Sequence, residues 1–313
     1  MADPMRMTAH PQVDKHSPHR RGLLAKVKRR PPDRRRHPSS TAPFRCSRPA
    51  TRVLAALLVM GASGAALAQP SAADGIAQYR ALLADGNPAE LFEAKGEGLW
   101  KQKRGPKNAT LEGCDLGQGP GVVKGAFVQL PRYFADTKRV QDLESRLLTC
   151  LETLQGFSAA QIAATPFGRG EQANMESLVA YVSAASRGAG FSVPQAHPEE
   201  RQMYEVGKRV FFFRGGPYDF SCASCHGEEG KRIRMQDLPD LTRNPGDGIG
   251  FAAWPAYRVS SGELWSMQRR LNDCYRQQRF PFPGYASEAT IALGVYMGVN
   301  SKGAQSIAPS LKR

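Results

Sequence analysis

Five consecutive residues, Cys222-Ala223-Ser224-Cys225-His226, constrain this chain more than any other feature. Two cysteines three apart with a histidine directly after them form C-x-x-C-H, the attachment motif for c-type haem. The spacing has a chemical reason. Two thiols add across the two vinyl groups of one porphyrin, and the adjacent imidazole reaches the iron from the same side. A zinc centre would need further cysteine or histidine close by, and none stands near the motif. The expectation is one covalently bound c-type haem held by Cys222, Cys225 and His226.

Haem attachment of this kind suits an exported protein, and the amino-terminal region agrees. Residues 1–52 hold 14 Lys and Arg against three acids, Asp3, Asp14 and Asp33. Residues 53–68 carry no charge and end in Ala66-Leu67-Ala68, an A-x-A cleavage signature. We expect a cleaved signal peptide over 1–68, a mature start at Gln69, a periplasmic location and no membrane anchor after processing. The rest of the chain carries 29 basic and 25 acidic groups, so the formal charge of +15 belongs mostly to the leader. A nearly balanced body argues against nucleic acid as a partner.

Export leads to an oxidising compartment, where the other cysteines need an account. Cys46 falls in the leader. Cys114 and Cys150 can pair across a long loop, which leaves Cys274 single. The mature chain reads as helical, with segments at 137–155, 172–187, 199–214, 262–278 capped by Ser261, and 288–299 capped by Ser287. Residues 108–129 are glycine-rich and read as loop. No stretch shows persuasive strand alternation.

The helical pattern repeats. Leu178-Val179-Ala180-Tyr181 matches Leu293-Gly294-Val295-Tyr296, 115 residues on, and Arg146 to Cys150 echoes Arg270 to Cys274. The fold expected is mainly α, with two cytochrome c-like domains at 69–193 and 194–313, the first without haem. The first has Cys114 and Cys150, and no C-x-x-C-H; we infer that it lost its haem and closed these two thiols on each other.

The second axial ligand stays open at this level. Met235, Met267, Met297 and Cys274 follow the motif, and His197 precedes it. Methionine would make an electron-carrying cytochrome of high potential. Cys274 competes because thiolates ligate haem iron and because Arg270 lies one helical turn before it. A guanidinium there favours a thiolate and can hold an anion by paired hydrogen bonds. Arg269, Arg276 and Arg279 stand nearby and read as a solvated basic face.

Three stretches carry a family resemblance: CDLGQGPGVVKGAF with LPRYFADTKRVQDLESRLLTC at 114–150, FSCASCHGEEGKR at 220–232, and RRLNDCYRQQRFPFPG at 269–284. They resemble the SoxA family, the larger subunits of SoxAX cytochromes in bacterial thiosulfate oxidation. The resemblance implies an L-cysteine S-thiosulfotransferase that conjugates thiosulfate to a cysteine of SoxY in a SoxYZ carrier, with SoxX as cytochrome partner. It also implies that Cys274 ligates the haem iron opposite His226 and is carried as a persulfide. Arg270 then contributes to the catalytic site. Because Cys114-Asp115-Leu116-Gly117-Gln118 is not C-x-x-C-H, the likeness is to the single-haem subgroup with a Cys114–Cys150 disulfide. Rival readings are a methionine-ligated electron carrier and a docking subunit with a structural haem.

Overall fold

The computed structural model describes residue 78 and residues 86–233, 236–243 and 249–312; the leader and the apolar run at 53–68 lie outside them. No described helix is long and apolar enough to cross a membrane. The first half holds helix α1 (Ala89–Lys101), a hairpin of β1 (Arg132–Phe134) and β2 (Arg139–Gln141), α2 (Leu143–Cys150), a π turn (Leu151–Gln155), α3 (Ala159–Ala164) and α4 (Gly170–Ala184). The second half holds α5 (Pro198–Phe212), α6 (Cys222–His226), a small hairpin β3 (Arg232–Ile233) and β4 (Gln236–Asp237), and α7 (Ile249–Ala252). Hairpin β5 (Ala256–Arg258) and β6 (Glu263–Trp265), α8 (Met267–Gln277), α9 (Glu288–Asn300) and β7 (Ser310–Lys312) complete it.

Two helix pairs meet in the same way. A Cβ on Gly96 of α1 would lie 2.0 Å from the Ser177 carbonyl oxygen of α4 and 2.8 Å from Tyr181. A Cβ on Gly207 of α5 would lie 2.0 Å from the Ala292 carbonyl oxygen of α9 and 2.9 Å from Tyr296. Glycine is required at both crossings because a backbone, not a flexible side-chain end, stands in the way. Gly96→Ala is expected to cost about 3 kcal/mol, because the helices must part. Gly98→Ala, on the same helix but facing open space, is expected to gain up to about 1 kcal/mol. Urea denaturation of the two variants checks the pair.

The likeness continues past the helices. The antiparallel bridge Arg104 to Ala109 recurs as Gly215 to Phe220. Hairpin β1–β2 and hairpin β5–β6 precede helices capped by Asp142 and Ser266, whose side chains accept the backbone N–H of Ser145 and Arg269. These caps correct two sequence readings. Residues 137–155 and 262–278 are not single helices: each begins as a strand and turns helical only after its N-cap, because the cap satisfies the first free N–H groups there. Ser261 is a turn residue of the β5–β6 hairpin, not a cap. Helices α1 and α3 are additions to the sequence reading.

Each half keeps its own apolar core. One gathers Leu99, Trp100, Leu111, Leu147, Met175 and Leu178, the other Phe191, Phe211, Phe251, Leu271, Leu293 and Met297. The halves join at the amino-terminal ends of α2 and α8. The Glu144 carboxylate accepts from the Ser266 hydroxyl at 2.9 Å, and Gln268 Nε2 donates to Asp142 at 2.6 Å. Glu144 and Gln268 occupy corresponding positions, each two residues after its cap, so each helix reaches for the other's cap.

Candidate functional site

A solvent-connected cavity of about 100 Å³ lies in the second half. Cys222, Cys225 and His226 line it from α6, Arg270 and Cys274 from α8, with Phe211, Leu241, Leu271, Leu293 and Met297 as apolar wall. Helix α6 is set by a reciprocal cap: the Ser221 and Ser224 side chains accept each other's backbone N–H, at 3.2 and 2.9 Å. That fixes the two thiols and the imidazole on one short turn.

The donor set fits a c-type haem. Cys222, Cys225 and Cys274 are all free thiols. His226 Nδ1 donates to the Pro239 carbonyl at 2.9 Å, which leaves Nε2 as the free ligating nitrogen and holds the ring in place. Burial holds the imidazole pKa below its ordinary value, which favours the neutral form, the form that binds iron. The wall of the cavity has the apolar character of a cofactor pocket. Among the described residues no group of three or more His, Cys, Asp or Glu side chains forms a separate metal site.

Burial pushes the Cys222 thiol up to about 12 and raises Cys274 above its ordinary value. Arg270 acts in the opposite direction on Cys274 and is outweighed. The polypeptide alone therefore does not make Cys274 the low-pKa thiolate that the Arg270 spacing suggested. Ligation to a metal would, since a coordinating thiol is deprotonated outright.

The first half shows what Arg270 would look like in a closed site. There Cys114 stands where Cys225 stands and Cys150 where Cys274 stands. The two form a disulfide with Cα atoms 5.6 Å apart. A cleft lined by this disulfide, Phe134, Asp136 and Arg146 takes the place of the cavity. Arg146, the counterpart of Arg270, is held by several acceptors. Its Nε donates to the Asp115 carbonyl, its Nη1 contacts both Asp136 oxygens at 3.0 and 2.7 Å, and its side chain is 6% exposed. The residue corresponding to Asp136 in the second half is Ser260. Arg270 makes one ion pair, of 3.2 Å with Asp273, itself held by Arg276 and Gln277; it lies over the Trp254 ring and is 27% exposed. The guanidinium that faces Cys274 thus has a single carboxylate contact, from its own helix, where its twin is held by the Asp136 carboxylate of the hairpin.

The other axial candidates separate. Met297 lines the cavity beside Cys274, whereas Met267 lies at the junction of the halves. His197 stacks on the Tyr133 ring at 3.7 Å. Met235 lies outside the described residues. The basic face divides too. Arg269 is not solvated: it pairs with Glu176 at 2.9 Å and with Glu263, at 12% exposure, and ties α8 to α4. Arg276 is exposed, and Arg279 lies over Tyr218. One residue escaped sequence reading. Arg258, at the end of β5, acts electrostatically on Cys274 together with Arg270. Its signal was present in the repeat, where Phe134 holds the corresponding place.

Paired helices crossing at glycine, and a cavity that presents two thiols, an imidazole and a further thiol, define a c-type cytochrome. The model for the "SoxA/TsdA, cytochrome c domain" family matches residues 95–191, the half that lacks C-x-x-C-H. The SoxA subunit of L-cysteine S-thiosulfotransferase from Hydrogenophilus thermoluteolus is 51% identical, over 83% of this chain and 98% of its own. Its namesake from Hydrogenobacter thermophilus is 34% identical, over 72% of this chain and 82% of its own. The chain belongs to the SoxA family. The crystal structure of SoxXA from P. pantotrophus superposes with a TM-score of 0.63, at 23% identity, over 75% of this chain and 84% of that one, which places the fold.

Proposed function

We propose that this chain is the SoxA subunit of a periplasmic L-cysteine S-thiosulfotransferase, carrying one c-type haem and working with a SoxX cytochrome. Its reaction joins thiosulfate to a cysteine of SoxY in a SoxYZ carrier. The observation that carries this reading is the opening of Arg270 and Cys274 into the cavity that holds Cys222, Cys225 and His226. Residues 69–193 form the haem-less domain closed by Cys114–Cys150, and 194–313 the haem domain. The A-x-A signature and the apolar run at 53–68 support export and removal of the leader.

The reaction balances as a carrier thiol plus thiosulfate dianion giving carrier–S–S–SO3⁻, one proton and two electrons. When bound, the haem supplies an iron for His226 and Cys274 to ligate and a one-electron redox centre. The rest falls to side chains. Arg270 attracts and orients the dianion by paired hydrogen bonds. Cys274 presents sulfur, as thiolate or persulfide, to the incoming sulfur. The two electrons leave one at a time, which suits a second haem on SoxX.

Replacing Arg270 with alanine is expected to lower kcat/KM for thiosulfate by about a hundredfold, the loss of one charge-assisted anion contact at a reacting centre. The assay mixes the holoprotein, its SoxX partner, SoxYZ, thiosulfate and a one-electron acceptor, and reads the mass of one thiosulfate added to SoxY. Unchanged kinetics would remove the anion role. Met297 in the cavity wall keeps one rival alive, a methionine-ligated electron carrier, which a ligand-sensitive haem spectrum separates.

A further inference from the structure

The two hairpins that lead into α2 and α8 share backbone and differ in charge. In the first, Phe134 lays its ring 4.0 Å from the Arg146 guanidinium, and Asp136 neutralises that guanidinium. In the second, Arg258 and Ser260 hold the same two positions of the same register. An aromatic and a carboxylate have become a guanidinium and a hydroxyl. The side that closes over the Cys114–Cys150 disulfide in one half therefore brings two guanidiniums, Arg258 and Arg270, toward Cys274 in the other, with the Asp273 carboxylate paired to Arg270.

Arg258 is held for a partner that the described residues do not provide. Its guanidinium lies 5.2 Å from the Trp265 ring centroid, a stack that fixes the fork. Arg258 Nε and Trp265 Nε1 are both buried, and neither has a hydrogen-bond partner among the described residues. Buried donors without acceptors are rare in folded proteins, and two beside each other mark a missing acceptor. Burial first, and then the nearby Arg270 charge, hold the Arg258 pKa below its ordinary value, as expected for two cations sharing a small space. Asp273, paired with Arg270, offsets this only in part, and an anion between the two guanidiniums would relieve both.

We propose that Arg258 and Arg270 form a two-guanidinium seat for the sulfonate end of a sulfur oxoanion, with the Trp265 indole N–H as a further donor. The seat leaves the anion's outer sulfur to face Cys274. The identity of the anion as thiosulfate rests on the transferase reading; the seat itself rests on the paired hairpins and the orphaned donors.

The test titrates thiosulfate into the holoprotein with its cytochrome partner by calorimetry, and measures KM and kcat in the conjugation assay. Arg258→Met is expected to weaken binding and to raise KM by about tenfold or more, with kcat within about threefold and an unchanged haem spectrum. Trp265→Phe, which keeps the stack and loses the N–H, is expected to weaken binding by about threefold. Arg187→Ala removes a remote surface charge paired with Glu93 and is expected to change neither quantity. Wild-type affinity and KM in Arg258→Met overturn the seat. Should that variant lose its haem, Arg258→Lys keeps the charge without the fork: weakened binding supports the seat, and wild-type binding overturns it. A protein that binds thiosulfate through Arg258 yet conjugates nothing removes the transferase reading and leaves the seat standing.

Discussion

Cys274→Ala is expected to abolish thiosulfate conjugation, with a fall on the order of a thousandfold or more, while the haem stays attached. Attachment needs only Cys222 and Cys225 on α6, four residues around a capped turn that α8 does not build. Turnover needs the sulfur on α8. Loss of a covalent way-station is not recovered by neighbouring groups, because Arg270 can hold the anion but cannot form the S–S bond. The same variant decides the axial ligand. If Cys274 ligates the iron, its removal shifts the haem spectrum and Met297→Leu does not. If Met297 ligates it, the two results exchange, and the chain becomes an electron carrier with a spectator thiol. Retained turnover in Cys274→Ala with a shifted spectrum would leave Cys274 as a ligand only.

The site was legible in the sequence where chemistry fixes spacing. C-x-x-C-H must be contiguous because one haem presents two vinyls and one iron, and Arg-x3-Cys must be four apart to share a helix face. The duplicated helices were legible through Tyr181 and Tyr296, whose surroundings include the glycines at the crossings. The hairpins were not. Strands of three residues are too short to show alternation, and Val140 and Leu264 satisfy a helical period as well as a strand one. Asp142 and Ser266, read as N-caps, would have moved both helix starts. The π turn after Cys150 was equally hidden. It absorbs one extra residue in the first half, since Cys150 corresponds to Cys274 but Gln155 to Gln278. Arg258 and Glu144 were invisible for another reason: their roles come from the other half of a contact, and a single charged residue carries no periodicity to announce it.

Glu144 leads to a large stability effect with a definite pH sign. Its carboxyl is buried at the junction and accepts from the Ser266 hydroxyl and the Tyr285 hydroxyl, both at 2.9 Å, and from the Gln268 backbone N–H at 3.4 Å. Burial first, and then the Asp142 charge, push its pKa up to about 8, against the pull of those three donors. The folded protein therefore holds the Glu144 proton more tightly than the unfolded chain, whose carboxyl titrates near its ordinary value. The stability it contributes is complete below that ordinary value and declines as pH rises through about 8. Glu144→Gln keeps the shape of the protonated acid. Its carbonyl can accept from Gln268 while its NH2 donates to the two hydroxyls, which rotate to suit. It is expected to flatten the stability profile between pH 5 and 8 and to match or exceed the wild type by a few kcal/mol at the upper end, at about 1.4 kcal/mol per unit of pKa shift. Glu144→Ala strands three donors and opens a void between α2 and α8, and is expected to cost about 3 kcal/mol at pH 6. Urea denaturation of the three proteins from pH 5 to pH 9 reads both effects. A wild-type profile parallel to that of Glu144→Gln would show that Glu144 is already ionised at pH 5, its three donors outweighing burial. The clasp would then be a charged one that alkaline pH leaves intact.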